Sequence, residues 1–229
     1  MPLNIIIPAY NEACIIEETV IRLIQHMPAD ARIIIIDDGS EDNTPQIIKK
    51  LALEYPFILP QLNTHHKGYA SVIRQGFSIV ENNDIIVTLM ADGCDDPKTI
   101  AAMYQEILNG ADIVCASRYI TGGRHLGGAW LKTLGSRAIN RLLRIMKKVP
   151  FSDATNSFKM LRKSILDQIC LKSSGFEIFT ELTIKICQKN YRTAEIATTW
   201  RSRKKGKSKF LFFKNGLEYL VFLNPLSRN

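Results

Sequence analysis

The chain has 229 residues, 46% of them hydrophobic, so it can bury a substantial core and is not expected to be disordered. Its formal net charge of +8 is unevenly distributed. Residues 1–112 carry 7 Lys+Arg against 16 Asp+Glu, a net of −9, whereas residues 113–229 carry 23 against 6, a net of +17. An acidic half is suited to a divalent cation, and a basic half to phosphate, anionic lipid or nucleic acid, although both halves can also present plain solvated faces.

Five cysteines are scattered along the chain without a CxxC pair. This pattern favours reduced thiols in a cytoplasmic protein and disfavours a zinc site. The sequence opens on the apolar run LNIIIP with no visible secretory signal, and no apolar run approaches the roughly 20 residues that cross a bilayer. The sequence therefore predicts a cytoplasmic protein that contacts the cytoplasmic membrane face at most peripherally.

The first half of the chain alternates between two patterns. Runs rich in Ile and Val predict strands at 4–7, 33–36, 85–89 and 113–116. Apolar residues at helical spacing predict helices over 13–26, 43–54, 69–81 and 97–108. Such alternation indicates an α/β fold with a mostly parallel, Rossmann-like sheet flanked by helices, and runs such as IIII fit strands that are covered on both faces.

The pattern changes beyond residue 118. The Gly-rich stretch TGGRHLGG predicts a mobile loop, and a basic helix is predicted after it, over 129–148. The remaining predicted elements are a turn-rich segment at 152–159, a helix at 177–189, a strand at 192–200 and the basic run RSRKKGKSK. The tail at 208–223 has apolar residues at roughly helical spacing, which fit either a helix lying flat on a membrane or a face packed on the domain or on a partner subunit.

Polar segments follow three of the predicted strands, at the edge of the sheet where ligands bind in such folds. The segments are PAYNE, DDGS and MADGCDDP. Asp37 or Asp38 is placed to accept hydrogen bonds from a base or a ribose, although DDGS is also compatible with an ordinary turn and helix cap. Asp92, followed by Asp95 and Asp96, is placed to ligate a hard cation, which would bridge two phosphates and stabilise a departing diphosphate.

These segments resemble, in the same order, the motifs of family 2 glycosyltransferases. The resemblance is carried by PAYNE (8–12), IIDDGSEDNT (35–44), HHKGYASVIRQGF (65–77), MADGCDDP (90–97) and ASRY (116–119). It is greatest to the branch of dolichyl-phosphate mannose synthases and polyprenyl-phosphate sugar synthases, and it continues through GSRAIN (135–140), DATNSFK (153–159), GFEIFTEL (175–182) and RKKGKSK (203–209). It implies a GT-A type fold and an inverting transfer of a hexose from GDP-mannose or a UDP-sugar to a polyprenyl or dolichyl phosphate.

The resemblance also implies how the chain is divided. A single domain, residues 1–229, would consist of a nucleotide-sugar-binding half at 1–118 and a basic acceptor-side half at 119–229 with an amphipathic tail at 208–229. The nucleotide-sugar would be bound by Pro8, Tyr10, Asn11, Glu12, Asp38, Lys67 and Asp92, with Asp37 as a further candidate. The acceptor phosphate would be bound by Arg118, Ser136, Arg137, Arg203 and Lys209. The expected catalytic residues are Asp92, Arg118, Arg137 and Arg203.

The expected metal is Mg²⁺ or Mn²⁺, held by Asp92 as the last carboxylate of the family's Asp-x-Asp motif. The chain departs from that motif with Met90 in place of its first Asp, and with Cys94 where some relatives have a metal-binding Gln. Asp95 is either a compensating ligand or the cap of a helix that starts at Pro97. A thiol is a poor ligand for magnesium, which keeps several waters, so few protein oxygens are needed.

The class of acceptor can be argued from charge. A lipid phosphate is already an anion near neutral pH, so it needs cations beside it rather than a strong base, and arginine suits this through forked hydrogen bonds. A hydroxyl acceptor on a glycan, protein or small molecule would need a base, and the candidates are then Asp153 and Glu177. His65 and His66 are expected to form a polar loop rather than a metal site.

Two other functions are disfavoured. The run RSRKKGKSK lacks interleaved aromatic residues, and the acidic half of the chain would repel nucleic acid. No GxGxxG follows the first strand, which disfavours a dinucleotide-binding dehydrogenase. The expected partners are therefore a nucleotide diphosphate-sugar donor, a polyprenyl phosphate acceptor and a membrane surface or membrane partner protein, but not nucleic acid.

Overall fold

The computed structural model describes residues 1–203, 205–206, 219 and 221–223. In this part of the chain the strands are β1 Leu3–Ala9, β2 Arg32–Asp37, β3 Ile58–Leu62, β4 Ile85–Thr88, β5 Ile113–Ser117, β6 Arg124–Leu126, β7 Lys159–Arg162, β8 Thr193–Ala197 and β9 Thr199–Arg201. The α-helices are α1 Ile16–Ile24, α2 Thr44–Glu54, α3 Tyr69–Ile79, α4 Thr99–Leu108, α5 Trp130–Lys147 and α6 Ile178–Gln188. Two 3-10 helices lie at Lys163–Gln168 and Val221–Leu223. Lys209 and most of the predicted tail at 208–229 lie outside the described residues.

The main sheet has seven strands in the order β3-β2-β1-β4-β7-β5-β8. Strand β7 runs antiparallel to both of its neighbours, whereas the other pairs in this sheet are parallel. A second sheet pairs β6 with β9. The predicted α/β fold with a mostly parallel sheet flanked by helices is therefore confirmed.

The continuous apolar runs of the central strands are explained by two cores, one on each face of the sheet. Ile5 and Ile7 of β1 belong to one buried cluster, and Ile6 belongs to the other. Because successive side chains of a strand point to opposite faces, a strand covered by helices on both sides needs apolar residues at every position. The same division holds along β2, where Ile33 and Ile34 enter different clusters.

The sequence patterns did not predict two strands of the main sheet, β3 and β7. Strand β3 contains Pro60, but it lies at the edge of the sheet, where a residue without an N–H group is tolerated. Strand β7 has the sequence KMLR, which is short and polar at both ends, and it begins where a turn-rich segment was predicted to end. Its place between β4 and β5 depends on contacts that are distant in the chain.

The prediction that TGGRHLGG is a mobile loop is wrong for its central residues, which form β6 and pair with β9. A Cβ atom on Gly123 would lie 2.6 Å from the carbonyl oxygen of Ser117, so this stretch packs against the end of β5. The predicted strand at 192–200 is divided into β8 and β9 at Thr198. The N–H of Thr198 donates to the Ser117 carbonyl at 2.9 Å, and its own carbonyl accepts from the N–H of Arg124 at 2.9 Å.

No helix among the described residues has the length and hydropathy required to cross a bilayer. The five cysteines are free: two are exposed, two are buried and Cys187 is partly buried.

Candidate active site

The two adjacent aspartates after β2 have different surroundings. Both oxygens of Asp38 are engaged: the N–H groups of Lys67 and Gly68 donate to them at 2.8 and 3.1 Å, and Nδ1 of His66 lies 2.8 Å from Oδ2. Gly39 has φ +71°, and a Cβ atom there would collide with the backbone of His65. Asp38 therefore fixes the loop from His65 to Gly68 against the end of β2.

The two carboxylate oxygens of Asp37 differ in their hydrogen bonding. Its Oδ2 accepts from the N–H of Ser40 at 3.1 Å, but its Oδ1 is buried and finds no hydrogen-bond partner among the described residues. The residue is 1% exposed. A buried carboxylate oxygen without a donor costs free energy, so this atom is suited to a ligand that brings an N–H or O–H group.

The PAYNE segment shapes the neighbouring wall. The ring of Tyr10 stacks on that of His66, with centroids 4.3 Å apart and an interplanar angle of 26°. Asn11 has φ +51°, and its side-chain oxygen accepts from the N–H of Glu41 at 2.8 Å. Asn11 thus holds the loop after β2, whereas Tyr10 and His66 present aromatic surface. Pro8, the first residue of PAYNE, lies within β1 and is buried. Lys67, another predicted donor-site residue, donates from Nζ to Oδ1 of Asn63 at 3.0 Å.

The loop after β4 brings Asp92 to the same edge of the sheet. Its Oδ1 accepts from the N–H of Cys94 at 3.0 Å, and its Oδ2 accepts from Nη2 of Arg203 at 3.0 Å. Nη1 of Arg203 also lies 3.4 Å from Oε1 of Glu12. Burial opposes the charge of Arg203, but Asp92 and Glu12 more than offset it and raise its pKa. Arg203, which lies in the basic run, therefore reaches the predicted donor site and contacts two of its carboxylates.

Asp95 follows Asp92 by three residues in the same loop and is 3% exposed. Burial, followed by the charge of Asp92, raises the pKa of Asp95 to about 7. The alternative that Asp95 caps a helix starting at Pro97 is wrong: α4 begins at Thr99, and it is Asp96 that accepts from the backbone N–H of Lys98 at 3.2 Å. The loop is instead anchored from α1.

That anchor is Arg22, which the sequence reading did not single out. Its Nη2 donates to the carbonyl oxygens of Gly93 and Asp95 at 2.7 and 2.9 Å. A single guanidinium thereby fixes the backbone on both sides of Cys94, and with it the direction in which Asp92 points.

Among the residues predicted to bind an acceptor phosphate, Arg118 forms a forked ion pair with Asp153. Nε and Nη2 of Arg118 donate to Oδ2 and Oδ1 at 2.7 and 2.8 Å, and the backbone N–H of Arg118 donates to Oδ2 at 3.0 Å. The side chain of Asp153 is 0% exposed and that of Arg118 is 13% exposed. Burial opposes the charge of Arg118, but the Asp153 carboxylate outweighs it and the pKa of Arg118 is raised. Asp153 is held further by Glu195, which accepts from its N–H at 3.0 Å.

The other predicted phosphate ligands on this side lie around Arg118. Oγ of Ser136 is 3.4 Å from Nη2 of Arg118. The guanidinium carbon of Arg137 lies 5.1 Å from the centre of the Tyr119 ring, and that of Arg118 lies 5.0 Å from the same ring. The structure therefore brings Arg118, Ser136 and Arg137 together, whereas Arg203 lies with Asp92 and Glu12.

Glu177 orders a loop in the same half of the chain. Its Oε1 accepts from the N–H groups of Ser174 and Gly175, both at 3.1 Å, while its Oε2 is buried without a partner among the described residues. The loop packs Phe176 on Tyr69, with ring centroids 4.6 Å apart. Tyr69 in turn donates its O–H to the sulfur of Met90 at 3.4 Å, so this loop supports the segment that carries Asp92.

Glu181 is expected to stabilise the same loop in a pH-dependent way. It accepts from the N–H groups of Lys172 and Ser173 at 2.9 and 2.8 Å and from Nζ of Lys185 at 2.7 Å. Burial opposes its charge, but these hydrogen bonds outweigh burial and lower its pKa below 4.5. Because the folded-state pKa is lowered, the stabilisation is present above pH 4.5 and is lost as the pH falls through the folded-state value.

Glu181→Gln should therefore lower the free energy of unfolding by about 1.5–3 kcal/mol at pH 7, and by less as the pH falls below the unfolded-state pKa. Urea unfolding at several pH values measures this. The exposed Glu81→Gln serves as the matched control and should change little at any pH. An equal loss for Glu181→Gln at all pH values would contradict the electrostatic explanation.

Comparison with known proteins identifies the family of the chain. Residues 4–170 match the sequence model of glycosyl transferase family 2. The chain belongs to glycosyl transferase family 2. The carboxylates that follow β2 and β4 and the pair of arginines beside Tyr119 are thus the candidate site of a glycosyltransferase.

The names of two curated relatives of this family 2 glycosyltransferase refer to dolichol phosphate and to polyprenol monophosphomannose. A dolichol-phosphate mannosyltransferase from Pyrococcus furiosus is 31% identical over 231 residues, an alignment that covers 100% of this chain and 64% of that protein. A polyprenol monophosphomannose synthase from Mycolicibacterium smegmatis is 28% identical over 211 residues, covering 90% of this chain and 79% of that protein. The chain thus spans somewhat less than two thirds of the length of the Pyrococcus relative.

Solved structures share the fold at lower identity. Glucosyl-3-phosphoglycerate synthase from Mycobacterium tuberculosis, in complex with Mn²⁺, UDP and glucosyl-3-phosphoglycerate, superposes with a TM-score of 0.71 at 15% identity, covering 97% of this chain and 79% of that one. A mannosyltransferase from Pyrobaculum calidifontis in complex with GDP-Man and Mn²⁺ gives 0.64 at 16% identity, covering 96% and 69%. The family 2 glycosyltransferase described here therefore has the GT-A fold.

Proposed function

We propose that this family 2 glycosyltransferase transfers a hexose from GDP-mannose or a UDP-sugar to a polyprenyl or dolichyl phosphate, with inversion at the anomeric carbon. The observation that carries the proposal is the arginine pair beside Tyr119, in which the forked contact to Asp153 fixes Arg118. Two guanidinium groups suit an anionic phosphate acceptor. The names of the curated relatives support the same class of acceptor.

The burial and hydrogen bonding of the two candidate bases, Asp153 and Glu177, also favour a phosphate acceptor over a hydroxyl acceptor. Asp153 is fully buried and paired with Arg118 through both oxygens. Glu177 is 6% exposed, and one of its oxygens holds the backbone of Ser174 and Gly175. A general base must reach the proton of an attacking hydroxyl, and these positions do not favour that role.

Donor recognition is assigned to residues 1–118 and acceptor recognition to 119–229, within one domain. In the donor half, Tyr10 and His66 offer an aromatic face for the base, and Oδ1 of Asp37 offers an acceptor for a base N–H or a ribose O–H. Ser136 and Arg137 of the acceptor half, together with Arg118 at the end of the donor half, would bind the attacking phosphate. Arg203 belongs to the second half by sequence but serves the first, since it contacts Asp92 and Glu12.

The residues present fit a magnesium or manganese ion held by few protein oxygens. The carboxylate of Asp92 is 15% exposed and offers hard oxygen at the mouth of the site. Burial, followed by the charge of Asp92, raises the pKa of the Cys94 thiol. Sulfur is also a soft ligand that suits magnesium poorly, so Cys94 is not assigned to the ion. Among the described residues, no three His, Cys, Asp or Glu side chains lie close enough together to hold a metal ion by themselves, so phosphate and water oxygens would be needed as further ligands.

The chemistry then divides among named residues. A bound metal ion would neutralise charge on the departing diphosphate. Arg203, which lies between Asp92 and Glu12, is placed to donate to the same phosphates once they displace those carboxylates from its guanidinium. Arg118 and Arg137 would orient the acceptor phosphate so that one of its oxygens bonds to the anomeric carbon as the bond to the nucleotide diphosphate breaks.

The deciding experiment measures transfer of radiolabelled sugar from a panel of GDP- and UDP-sugars to a short-chain polyprenyl phosphate, with magnesium and with chelator. Metal-dependent formation of a lipid-phosphate sugar from one donor supports the proposal, and the anomeric configuration of the product tests inversion. Metal-dependent hydrolysis of one donor without a lipid product would retain a glycosyltransferase but remove the lipid acceptor.

The adjacent aspartates provide a matched pair of variants for the donor site. Asp37→Asn removes the charge from a carboxylate that has an unused buried oxygen, and it should weaken binding of the nucleotide donor by about 10- to 100-fold while the fold is retained. Asp38→Asn leaves only one acceptor oxygen, so it breaks either the contact to the N–H of Lys67 or those to Gly68 and His66, and it should lower the melting temperature as well. Calorimetric titration and thermal unfolding separate the two. Equal donor affinity for Asp37→Asn and wild type would remove Asp37 from the site.

A further inference from the structure

The charges of the proposed phosphate ligands do not balance a phosphate monoester. Arg118 and Arg137 bring two positive charges to the Tyr119 ring, but the buried carboxylate of Asp153 pairs with Arg118 and cancels one of them. A phosphate monoester carries about 1.5 to 2 negative charges near neutral pH. These three residues therefore leave close to one negative charge of the acceptor without a counter-charge, which is costly in a partly buried site.

His125 lies in the groove that leads to these arginines. His125 and Arg137 share the lining of this groove, which has a volume of about 440 Å³. His125 is the middle residue of β6, and its two neighbours in the strand are exposed. Because successive side chains of a strand point to opposite sides, the imidazole is the one that turns toward the protein. The strand starts close to Arg118, since a Cβ atom on Gly123 would lie 2.8 Å from the Arg118 carbonyl carbon.

The imidazole ring is fixed by its neighbours but keeps one edge open. The ring stacks on that of Trp200, its partner in β9, with centroids 4.4 Å apart and an interplanar angle of 16°. Nδ1 lies 3.4 Å from Oγ1 of Thr133. A Cβ atom on Gly128 would lie 3.6 Å from Cε1, so the glycine leaves this edge of the ring uncovered. Nε2, which is bonded to Cε1, is therefore the ring atom that a ligand can reach.

The charged groups that face His125 come from three parts of the fold. They are Arg118 after β5, Arg137 on α5 and Asp153 between α5 and β7, whereas β9 contributes the neutral ring of Trp200. Burial and then the charge of Arg118 lower the pKa of His125 below 6.5, Asp153 acts in the opposite direction, and Arg137 adds to the lowering. The imidazole is thus neutral near pH 7 in the free protein. A phosphate dianion beside the arginines would favour the imidazolium instead.

We propose that His125 is a further ligand of the acceptor phosphate, to which it donates from Nε2 as an imidazolium. The ring takes its proton from solvent as the phosphate enters, so binding supplies the missing counter-charge. The product of the proposed transfer is a phosphodiester with one negative charge, and His125 returns the proton as that product forms. His125 therefore makes the site select a monoester over a diester, and substrate over product. The identity of the phosphate rests on the proposed function, but binding of a monoester at His125 does not require transfer.

Affinity for geranyl phosphate, measured by calorimetry without a donor, tests the charge of His125. His125→Phe can still stack on Trp200 but cannot take up a proton. It should bind geranyl phosphate about tenfold more weakly than the wild type near pH 6.5, and less than about threefold more weakly near pH 8.5, where the wild-type imidazolium is lost. Ionisation of geranyl phosphate affects both proteins alike and cancels in the ratio. His26→Gln, after the end of α1, is the control and should bind like the wild type. Equal affinity of His125→Phe and wild type, or a ratio that does not change with pH, would overturn the proposal.

Protonation of the ring is measured by NMR titration of the histidine Cε1–H signals, in which His125 is identified by the signal lost in His125→Phe. Its titration midpoint should move to higher pH with saturating geranyl phosphate, and much less with the diester methyl geranyl phosphate. An unchanged midpoint with bound geranyl phosphate would overturn the proposal. Such a shift without sugar transfer to any prenyl phosphate would retain His125 as a phosphate ligand and overturn the proposed function. Transfer by His125→Phe with the wild-type KM for the acceptor would do the reverse.

Discussion

Asn in place of Asp92 is expected to lower the kcat/KM of sugar transfer by about a thousandfold or more, because the substitution removes negative charge where a metal ion and a diphosphate would meet. The side chain is well placed for this test. Asn can still accept from the N–H of Cys94 through its oxygen, so the loop should keep its shape. What is lost is the charge that faces Arg203 at 3.0 Å and would face the metal ion.

Two further measurements make the result specific to Asp92. Binding of the nucleoside diphosphate by calorimetry should lose its magnesium dependence in Asp92→Asn, independently of turnover. Asp96→Asn lies in the same loop, but its carboxylate accepts from the backbone N–H of Lys98, so its kcat/KM should stay within about threefold of the wild type. If Asp92→Asn kept a tenth of the wild-type activity, or if both variants lost activity alike, the metal assignment would fail.

The parts of the fold that were predicted correctly are those that local patterns specify. The Ile runs of β1 and β2 are buried on both faces, and helices α1 and α2, which follow these strands, repeat apolar residues at the helical period. A short window of sequence therefore contains the signal. Strands β6 and β7 lack such a signal, since each has only three or four residues and begins with Arg or Lys. Their pairing partners lie far along the chain, and only the assembled sheet selects them.

The candidate site shows the same limit. The sequence placed Asp37 and Asp38 at the edge of the sheet but did not divide their roles, because the division depends on the loop of His66 and Lys67, which meets Asp38 from another part of the chain. His66 was expected in a plain polar loop, yet it stacks on Tyr10. Hydrogen bonds between segments distant in sequence leave no local pattern. The sequence therefore predicts which polar side chains lie at the strand ends, but not which of them form hydrogen bonds with each other.

The pairing of Arg118 with Asp153 leads to the second large effect. Asp153→Asn keeps the shape of the side chain but leaves the guanidinium of Arg118, 13% exposed, without its charged partner. Removing one member of a buried ion pair typically costs about 3–5 kcal/mol, so the free energy of unfolding should fall by that amount in urea titrations. The matched control is Asp167→Asn. Asp167 pairs with Lys163, but its side chain is 48% exposed, so the loss of unfolding free energy there should be below about 1 kcal/mol.

A second substitution distinguishes stability from function at this pair. Adding Arg118→Met to Asp153→Asn removes the unpaired charge, so the double variant should be more stable than Asp153→Asn alone, since replacing both members of a buried pair costs far less than replacing one. Transfer to the prenyl phosphate should nevertheless stay lost, because the proposed phosphate ligand is gone. If the double variant regained both stability and transfer, Arg118 would serve only to hold Asp153, and the acceptor phosphate would have to be bound by Arg137 and Ser136 without it.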